Sequence, residues 1–598
     1  MTRHPQNQNP SRPFLPTVLA VAFSTTVLLA CTQQSEPTPT ERADLAAVSN
    51  IVLHDAPQQH EPRREADAAN PAPAALEEVQ GSRQLLKTES KIVAGAVMAM
   101  PVAPATPGWM YEGQDRERYQ HLDDNPVKLV SEQPVSTFSV DVDTESYSNT
   151  RRMLREGRMP TKDAVRVEEF INYFDYGYQV PANKSVPFSV MTEVAPAPWN
   201  ANNLLLQVGI KGYEVAKESI PAANLVFLVD VSGSMQMPDK LELVKQSLAM
   251  LTDQLSAKDK VSLVVYAGAA GLVLEPTAGN DKAKIKAALQ RLTAGGSTNG
   301  GAGIELAYSV AQQAFIKGGI NRVVIASDGD MNVGTVGVEA LKAMIEEKRK
   351  GGITLTTLGY GSGNYNSELM EQLADIGNGN AAYIDSLHEA RKVLVDQLSS
   401  TVFTIAQDVK IQLEFSPRVK EYRLIGYENR LLNREDFNND KVDAGDIGAG
   451  HTVTAIYELV MEGSEGGLID PLRYGDKKPA VDEAHINEMA FLRLRYKQPG
   501  ESKSRLIEQP VKMADIHRNV AEASDSFRFA SAVAAWGQLL RGGEYTGSFS
   551  YGDVRALAQG ARGTDAFGYR GEFLQLVNLS ESLATPAASV AATAAVME

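Results

Sequence analysis

Two carboxylates and three hydroxyls are spaced so that they could hold a small, hard cation. Asp230-Val-Ser232-Gly-Ser234 follows an apolar run, Thr298 lies in the glycine-rich stretch Gly295-Gly-Ser-Thr-Asn-Gly-Gly301, and Asp328-Gly329 follows the run Val323 to Ala326. Carboxylate and hydroxyl oxygens are the donors that Mg²⁺ takes, in an octahedron at about 2.0–2.1 Å, and Mn²⁺ accepts the same set. Alternation points Ser232 and Ser234 from one turn toward the same ion, and the glycines let neighbouring backbone approach closely. With two acidic side chains and otherwise neutral hydroxyls, the ion stays under-neutralised and keeps a position open for an incoming carboxylate. Such a site captures rather than encloses.

The elements that must position these residues are strands and helices in alternation. Asn224 to Asp230 is a continuous apolar run, and Leu241, Val244, Leu248, Leu251 and Leu255 then recur at helical spacing. Val261 to Tyr266, Arg322 to Ala326 and Ile353 to Leu358 read as further strands. Helical stretches are expected at Lys282 to Leu292, Gly303 to Phe315 and Glu339 to Lys350, the last stopped by Gly351 and Gly352. Continuous apolar strands between amphipathic helices predict an α/β domain with a doubly wound, mostly parallel sheet, whose ligands bind beyond the strand carboxyl ends. The site residues should therefore follow strands.

The remaining chain divides around this domain. Residues 1–30 carry Arg3, Arg12 and the apolar run Phe14 to Ala30, the layout of an export signal, and Cys31 is the one cysteine in 598 residues. A single cysteine excludes an intramolecular disulfide and a thiolate metal site in the folded body. Residues 31–110 are rich in Pro, Ala, Gln and Glu, which predicts a disordered tether, interrupted by an apolar patch at Ile92 to Met100. Residues 111–220 read as an α/β module with flanking strands. It holds the strand Ser136 to Val140, a helix carrying Val167, Phe170, Ile171 and Phe174, and two strands from Pro187 to Lys211 around Pro196-Ala-Pro198-Trp-Asn200. Residues 221–402 form the α/β domain. Residues 403–598 read as β-rich, then helical, with strands at Val409 to Phe415, Thr452 to Val460 and Ala490 to Tyr496 and helices at Ser526 to Leu540 and Gly571 to Leu583. The strands before residue 215 and after residue 405 are expected to form one β domain into which the α/β domain is inserted.

The order and spacing of Asp230-x-Ser232-x-Ser234, Thr298 and Asp328 resemble the metal-ion-dependent adhesion site of von Willebrand factor type A domains. The resemblance implies that Ser232, Ser234 and Thr298 hold the ion directly or through water, with Asp230 and Asp328 as direct or outer carboxylates. It gives Ser327 and Asn299 no role. Pro134 to Asp143, Asp163 to Glu169, and Asp443-Ala-Gly-Asp-Ile-Gly448 followed by Ala449 to Val453 are similar to YfbK-like lipoproteins, a likeness spanning roughly residues 111–590. Leu28-Leu29-Ala30-Cys31 resembles the lipobox of bacterial lipoproteins. That implies an acylated Cys31 anchoring the chain to the cell envelope, and Thr32 after it favours the outer membrane, facing the periplasm.

Several function classes are disfavoured. A net charge of −16 lacks the basic footprint of a nucleic-acid binder, and no GxxxxGK[ST] run exists for a nucleotide; Gly359-Tyr-Gly361-Ser-Gly363 has the wrong glycine spacing. His121, His388, His451, His485 and His517 are dispersed without HExxH spacing, and there is no GxSxG elbow, so no enzyme is signalled. Asp141 and Asp143 read as helix caps, and Asp436-Phe-Asn438-Asn-Asp440 as a polar turn, because Lys441 and Ile447 break the calcium-loop pattern. The expected partner is a protein offering an Asp or Glu carboxylate, in adhesion or complex assembly. A metal-assisted envelope hydrolase and a scaffold with a purely structural metal are the alternatives.

Overall fold

The computed structural model describes residues 116–182, 184–331, 337–470 and 483–584. The expected export signal, Cys31, the expected tether and the patch at Ile92 to Met100 lie outside the described residues. The amino-terminal part runs β1 (Lys128–Leu129), β2 (Val135–Ser139), α1 (Glu145–Arg155), α2 (Val167–Asn172), β3 (Phe188–Ala197) and β4 (Asn200–Gly212). Val167, Phe170 and Ile171 are buried on α2 as their spacing requires, whereas Phe174 lies past its end.

The central α/β unit follows. Its strands are β5 (Ala223–Asp230), β6 (Lys260–Tyr266), β7 (Ala270–Ala278), β8 (Ile320–Ser327), β9 (Thr354–Tyr360) and β10 (Ala381–Ile384). Its helices are α3 (Leu243–Gln254), α4 (Lys282–Gln290), α5 (Gly300–Gln313), α6 (Val338–Lys350), α7 (Ser367–Ile376), α8 (Leu387–Arg391) and α9 (Leu398–Val402). The strands order as β10-β9-β8-β5-β6-β7 and pair in parallel except at the β6–β7 edge. Every residue of β5 is buried. Leu225, Phe227 and Val229 face Val244, Leu248 and Leu251 of α3, while Val226 and Leu228 face Ile304 and Tyr308 of α5. A strand covered on both faces must be apolar at every position, which is why its sequence shows no alternation. The chain leaves β5 for β6 on one side and reaches β8 on the other, so the order reverses beside β5, where such folds bind ligands.

The carboxyl-terminal part adds β11 (Thr404–Phe415), β12 (Val419–Ile425), β13 (Ile447–Gly448), β14 (Thr452–Met461), β15 (Glu488–Lys497) and β16 (Arg505–Lys512), then α10 (Asp525–Leu540), α11 (Tyr551–Gly560) and α12 (Tyr569–Ala584). These strands pair directly with those that precede the α/β unit. Leu206 of β4 lies opposite Tyr457 of β14, Phe138 of β2 opposite Ile411 of β11, and Lys128 of β1 opposite Tyr422 of β12. The α/β unit is therefore an insertion between strands of one β structure. The sheets β1-β12-β14-β4-β3 and β13-β11-β15-β16 share a core that includes Phe138, Leu206, Ile411, Tyr457 and Leu492. The alternate residues Leu205, Ile425 and Ile456 turn to the opposite face, where α1, α2 and the last three helices close over Trp536, Phe170, Phe529 and Phe573. Trp536 is fully buried and its Nε1–H donates to Ser580 Oγ at 3.1 Å, which satisfies the indole's one polar group.

Ion pairs join the insertion to its host. Arg151 of α1 binds Asp385, Glu389 and Glu572, and Lys392 donates to the Tyr173 carbonyl while its ammonium lies 2.9 Å from the Tyr173 ring centre. Asp141 and Asp143 belong to a second junction, which corrects the capping expectation. The residue before α1 is Thr144, and its side chain makes no capping bond. Asp141 instead takes Arg430 Nε at 3.0 Å, and Asp143 accepts the Ala381 N–H at 2.9 Å. The carboxylates sit between domains because Arg430 and the β10 backbone need acceptors where water is excluded. Asp436 and Asp440 do form a polar turn, their oxygens used by Asn433, Arg495 and Ser504.

Candidate functional site

Asp230 ends β5 with its carboxylate out of solvent. Its Oδ1 accepts the Ser232 N–H at 2.8 Å and its Oδ2 accepts the Ser327 hydroxyl at 3.0 Å. Ser327 Oγ in turn accepts the Gly329 N–H at 3.0 Å, so one hydroxyl fastens the ends of two neighbouring strands. Beyond Asp230 the chain enters a short turn, Gly233–Gln236, and this brings Ser232 Oγ to 3.0 Å from Ser234 Oγ. The paired hydroxyls stand beside a buried carboxylate.

Thr298 arrives by a different route from the expected one. It follows no strand; its loop connects α4 to α5. The loop is drawn to the rim by backbone bonds, Gly295 N–H to Val231 O at 2.8 Å and Gly233 N–H to Gly296 O at 3.0 Å. Gly296 holds φ +86°, a conformation that disfavours any side chain. Thr298 is half-buried, and the adjacent Asn299 side chain caps α5 by accepting the Ala302 N–H.

Asp328 follows β8 and is also buried. Its Oδ1 accepts the Asp330 N–H at 3.2 Å, while Oδ2 accepts both Lys240 Nζ and Asn364 Nδ2 at 3.0 Å. Lys240 Nζ also donates to Asn364 Oδ1 at 2.7 Å, which closes a triangle of three side chains. Lys240 lies in the irregular turn Pro238–Glu242, where its φ of −114° and ψ of −106° break the helical path. Gly361 faces its stem, and a Cβ there would land on Lys240 Cγ and Cε. Gly359 likewise makes room for the Tyr365 ring. Gly359 near the end of β9 and Gly361 just past it thus serve close packing beside the site.

Burial pushes the Asp230 carboxyl up to about 6, and the neighbouring Asp328 charge adds to the rise against the Ser232 N–H bond that lowers it. Two dry carboxylates with a single ammonium, paired to Asp328, leave negative charge uncompensated at a rim that also offers hydroxyls. That donor set fits a hard divalent cation. The histidines stand elsewhere: His121 pairs with Asp163, His517 with Glu193 and His485 with Glu488, His388 packs on Tyr569, and burial holds His451 down to about 3.

Sequence reasoning put forward Asp230, Ser232, Ser234, Thr298 and Asp328 but gave Lys240 and Asn364 no part and Ser327 no role. Lys240 reads as an exposed residue at the start of a helix, because its local sequence does not reveal the backbone break. The signal near Asn364 was the glycine density from Gly359 to Gly363, which marks something passing close.

Comparison with known proteins matches residues 224–397 to the von Willebrand factor type A domain, residues 113–207 to a model described as von Willebrand factor, and residues 400–583 to one described as Uncharacterized protein YfbK, C-terminal. The chain is 46% identical over 473 residues to Uncharacterized protein YfbK of Escherichia coli (strain K12), covering 78% of this chain and 81% of that protein. It is 24% identical over 281 residues to Inter-alpha-trypsin inhibitor heavy chain H3 of Homo sapiens, covering 43% of this chain and 31% of that protein. Among solved structures, the von Willebrand factor type A protein from Catenulispora acidiphila matches with 16% identity and a TM-score of 0.37, over 65% of this chain and 89% of that one.

Proposed function

The chain belongs to the YfbK family of proteins carrying a von Willebrand factor type A domain, and from that premise we propose that this domain captures an acidic side chain of a partner protein through a bound Mg²⁺ or Mn²⁺. The domain type suggests protein–protein interaction or adhesion. In this reading Asp230, Ser232, Ser234, Thr298 and Asp328 hold the ion, and the capture serves adhesion or complex assembly rather than turnover. When bound, the ion supplies a point of positive charge for one carboxylate oxygen. Ser327 fixes Asp230, and the loop from Gly295 to Thr298 is held at the rim by its backbone bonds to Val231 and Gly233.

The observation that carries the proposal is the pairing of two hydroxyls 3.0 Å apart with a dry carboxylate that burial has driven up to about 6. A buried acid so placed gains most from a cation. The same reading takes 111–220, 221–402 and 403–598 as the folded divisions, and makes the protein an envelope lipoprotein, acylated at Cys31 after removal of residues 1–30 and held at the outer membrane facing the periplasm. The support is a lone cysteine ending an apolar leader.

Calorimetric titration of residues 32–598, called the soluble chain because the proposed anchor is left out, with MgCl₂ and MnCl₂ tests the metal step. Saturable uptake lost in Asp230→Ala is expected; no uptake by the wild type, either alone or with an acidic peptide present, refutes the reading. Loss of palmitate labelling in Cys31→Ser tests the anchor.

A further inference from the structure

We infer that Lys240 sets the balance between cation and acid at this site, weakening the hold on a bare divalent ion and strengthening the pull on an acidic ligand, so that the ion is held firmly only once the acid has joined it. This rests on the proposed function, because it concerns the same site. A site built only to retain a divalent ion has no use for a buried ammonium beside it, since like charges in a poorly solvated place repel strongly. Here the ammonium is built in. Lys240 is 4% exposed, its Nζ bonds Asp328 Oδ2 and Asn364 Oδ1, and the turn Pro238–Glu242 leaves the helical path at this residue. The missing side chain at Gly361 provides the channel for its stem.

Asn364 is positioned in turn by the segment that begins the described chain. Arg116 N–H donates to Gly363 O at 3.0 Å, Arg118 N–H to Tyr365 O at 2.8 Å, and Gly363 N–H to Glu117 Oε1 at 2.8 Å. The lysine is therefore clamped from two sides, toward Asp328 and away from solvent.

The charge balance sets the consequence. Asp230 and Asp328 with Lys240 leave one net negative charge, so a divalent ion turns the site singly positive and one ligand carboxylate returns it to neutrality. Lys240 weakens the hold on the bare cation and strengthens the pull on the acid. By linkage, the factor by which the acid improves metal affinity equals the factor by which the metal improves affinity for the acid. A neutral side chain of the same shape, such as Asn in place of Asp, gains none of this.

The test is calorimetric titration with Mn²⁺ alone and with an excess of a blocked Gly-Asp-Gly peptide or its Gly-Asn-Gly analogue. In the wild type the Asp peptide should tighten Mn²⁺ binding about tenfold and the Asn peptide not at all. Lys240→Met should bind Mn²⁺ alone at least about tenfold more tightly than wild type, and once loaded with Mn²⁺ should bind the Asp peptide at least about threefold more weakly than loaded wild type. Asn364→Asp retains the lysine and adds the opposite charge, and should move the affinity in the same direction, so the test survives if Lys240→Met does not fold. Wild-type values in Asn364→Asp, or in a folded Lys240→Met, overturn this inference and leave the proposed function standing. No Mn²⁺ uptake by the wild type, with or without the Asp peptide, overturns both.

Discussion

Arg151 of α1 and Asp385, just beyond β10, meet as a two-pronged ion pair, Nε to Oδ2 at 2.7 Å and Nη2 to Oδ1 at 2.5 Å, with both side chains out of solvent. The same guanidinium reaches Glu389 at 2.8 Å and Glu572 at 3.0 Å, so one residue ties the amino-terminal helix to the inserted domain and to the last helix. Arg151→Met should cost about 3–5 kcal/mol, because it strands buried carboxylates without a counter-charge. Arg151→Lys should recover only part, since an ammonium cannot serve the fork. Urea unfolding of the soluble chain measures both, and a loss below about 1 kcal/mol would show the network to be dispensable.

Removal of the inserted domain from its host should expose the same dependence. A fragment of residues 221–402 keeps Asp385, Glu389 and Lys392 but lacks Arg151 and Tyr173. We expect it to melt well below the full soluble chain by circular dichroism. An equal melting temperature would mean that the junction adds nothing to the domain.

Gly361 and Gly363 offer a paired comparison beside the site. Both hold positive φ, +74° and +87°, but a Cβ on Gly361 strikes the Lys240 stem whereas one on Gly363 meets open space. Gly363→Ala should cost about 1 kcal/mol for the left-handed backbone alone, and Gly361→Ala about 1–3 kcal/mol more. Only Gly361→Ala should also change Mn²⁺ affinity. Equal melting temperatures for the two variants would disprove the packing role.

Stability should rise as pH falls from about 7 to about 5.5. Burial, with neighbouring carboxylates adding to it, pushes Glu145 up to about 8, Glu168 and Asp446 to about 7 and Asp375 to about 6. In the unfolded chain these groups titrate near 4, so across this window the native chain holds the extra protons. Their contribution is present at low pH and lost as pH rises through 6 to 8. Asp230, pushed up to about 6, acts with these four, while His451, held down to about 3, and Lys392, lowered to about 7 by burial, work in the opposite direction, two groups against five. Thermal melts without added metal check the sign, and a lower melting temperature at about pH 5.5 than at about pH 7 would contradict it.

The fold was legible wherever burial left a regular imprint. The apolar run of β5 and the three-and-four spacing of Val244, Leu248 and Leu251 located a strand and a helix within a few residues. Edge strand β7 was missed, because Ala270 to Ala278 is mostly exposed or half-buried and carries no strong pattern. Helices α7 and α11 were missed as well; each is ten residues long with a narrow apolar stripe. At the site, Asp230, Ser232 and Ser234 were readable because their relation is local, whereas Lys240 and Asn364 meet Asp328 only through folding, 88 and 36 residues away. Asp141 and Asp143 were misread because an acid before a helix caps it more often than it bridges to Arg430, which lies 289 residues from Asp141.

The backbone bonds from Arg116 to Gly363 and from Arg118 to Tyr365 have a mechanical consequence. The described chain begins at Arg116, bonded to the loop that carries Asn364. Traction applied to the backbone at Arg116 loads these two bonds before any buried core residue. A tug would thus be felt beside Asp328 while both sheets remain intact.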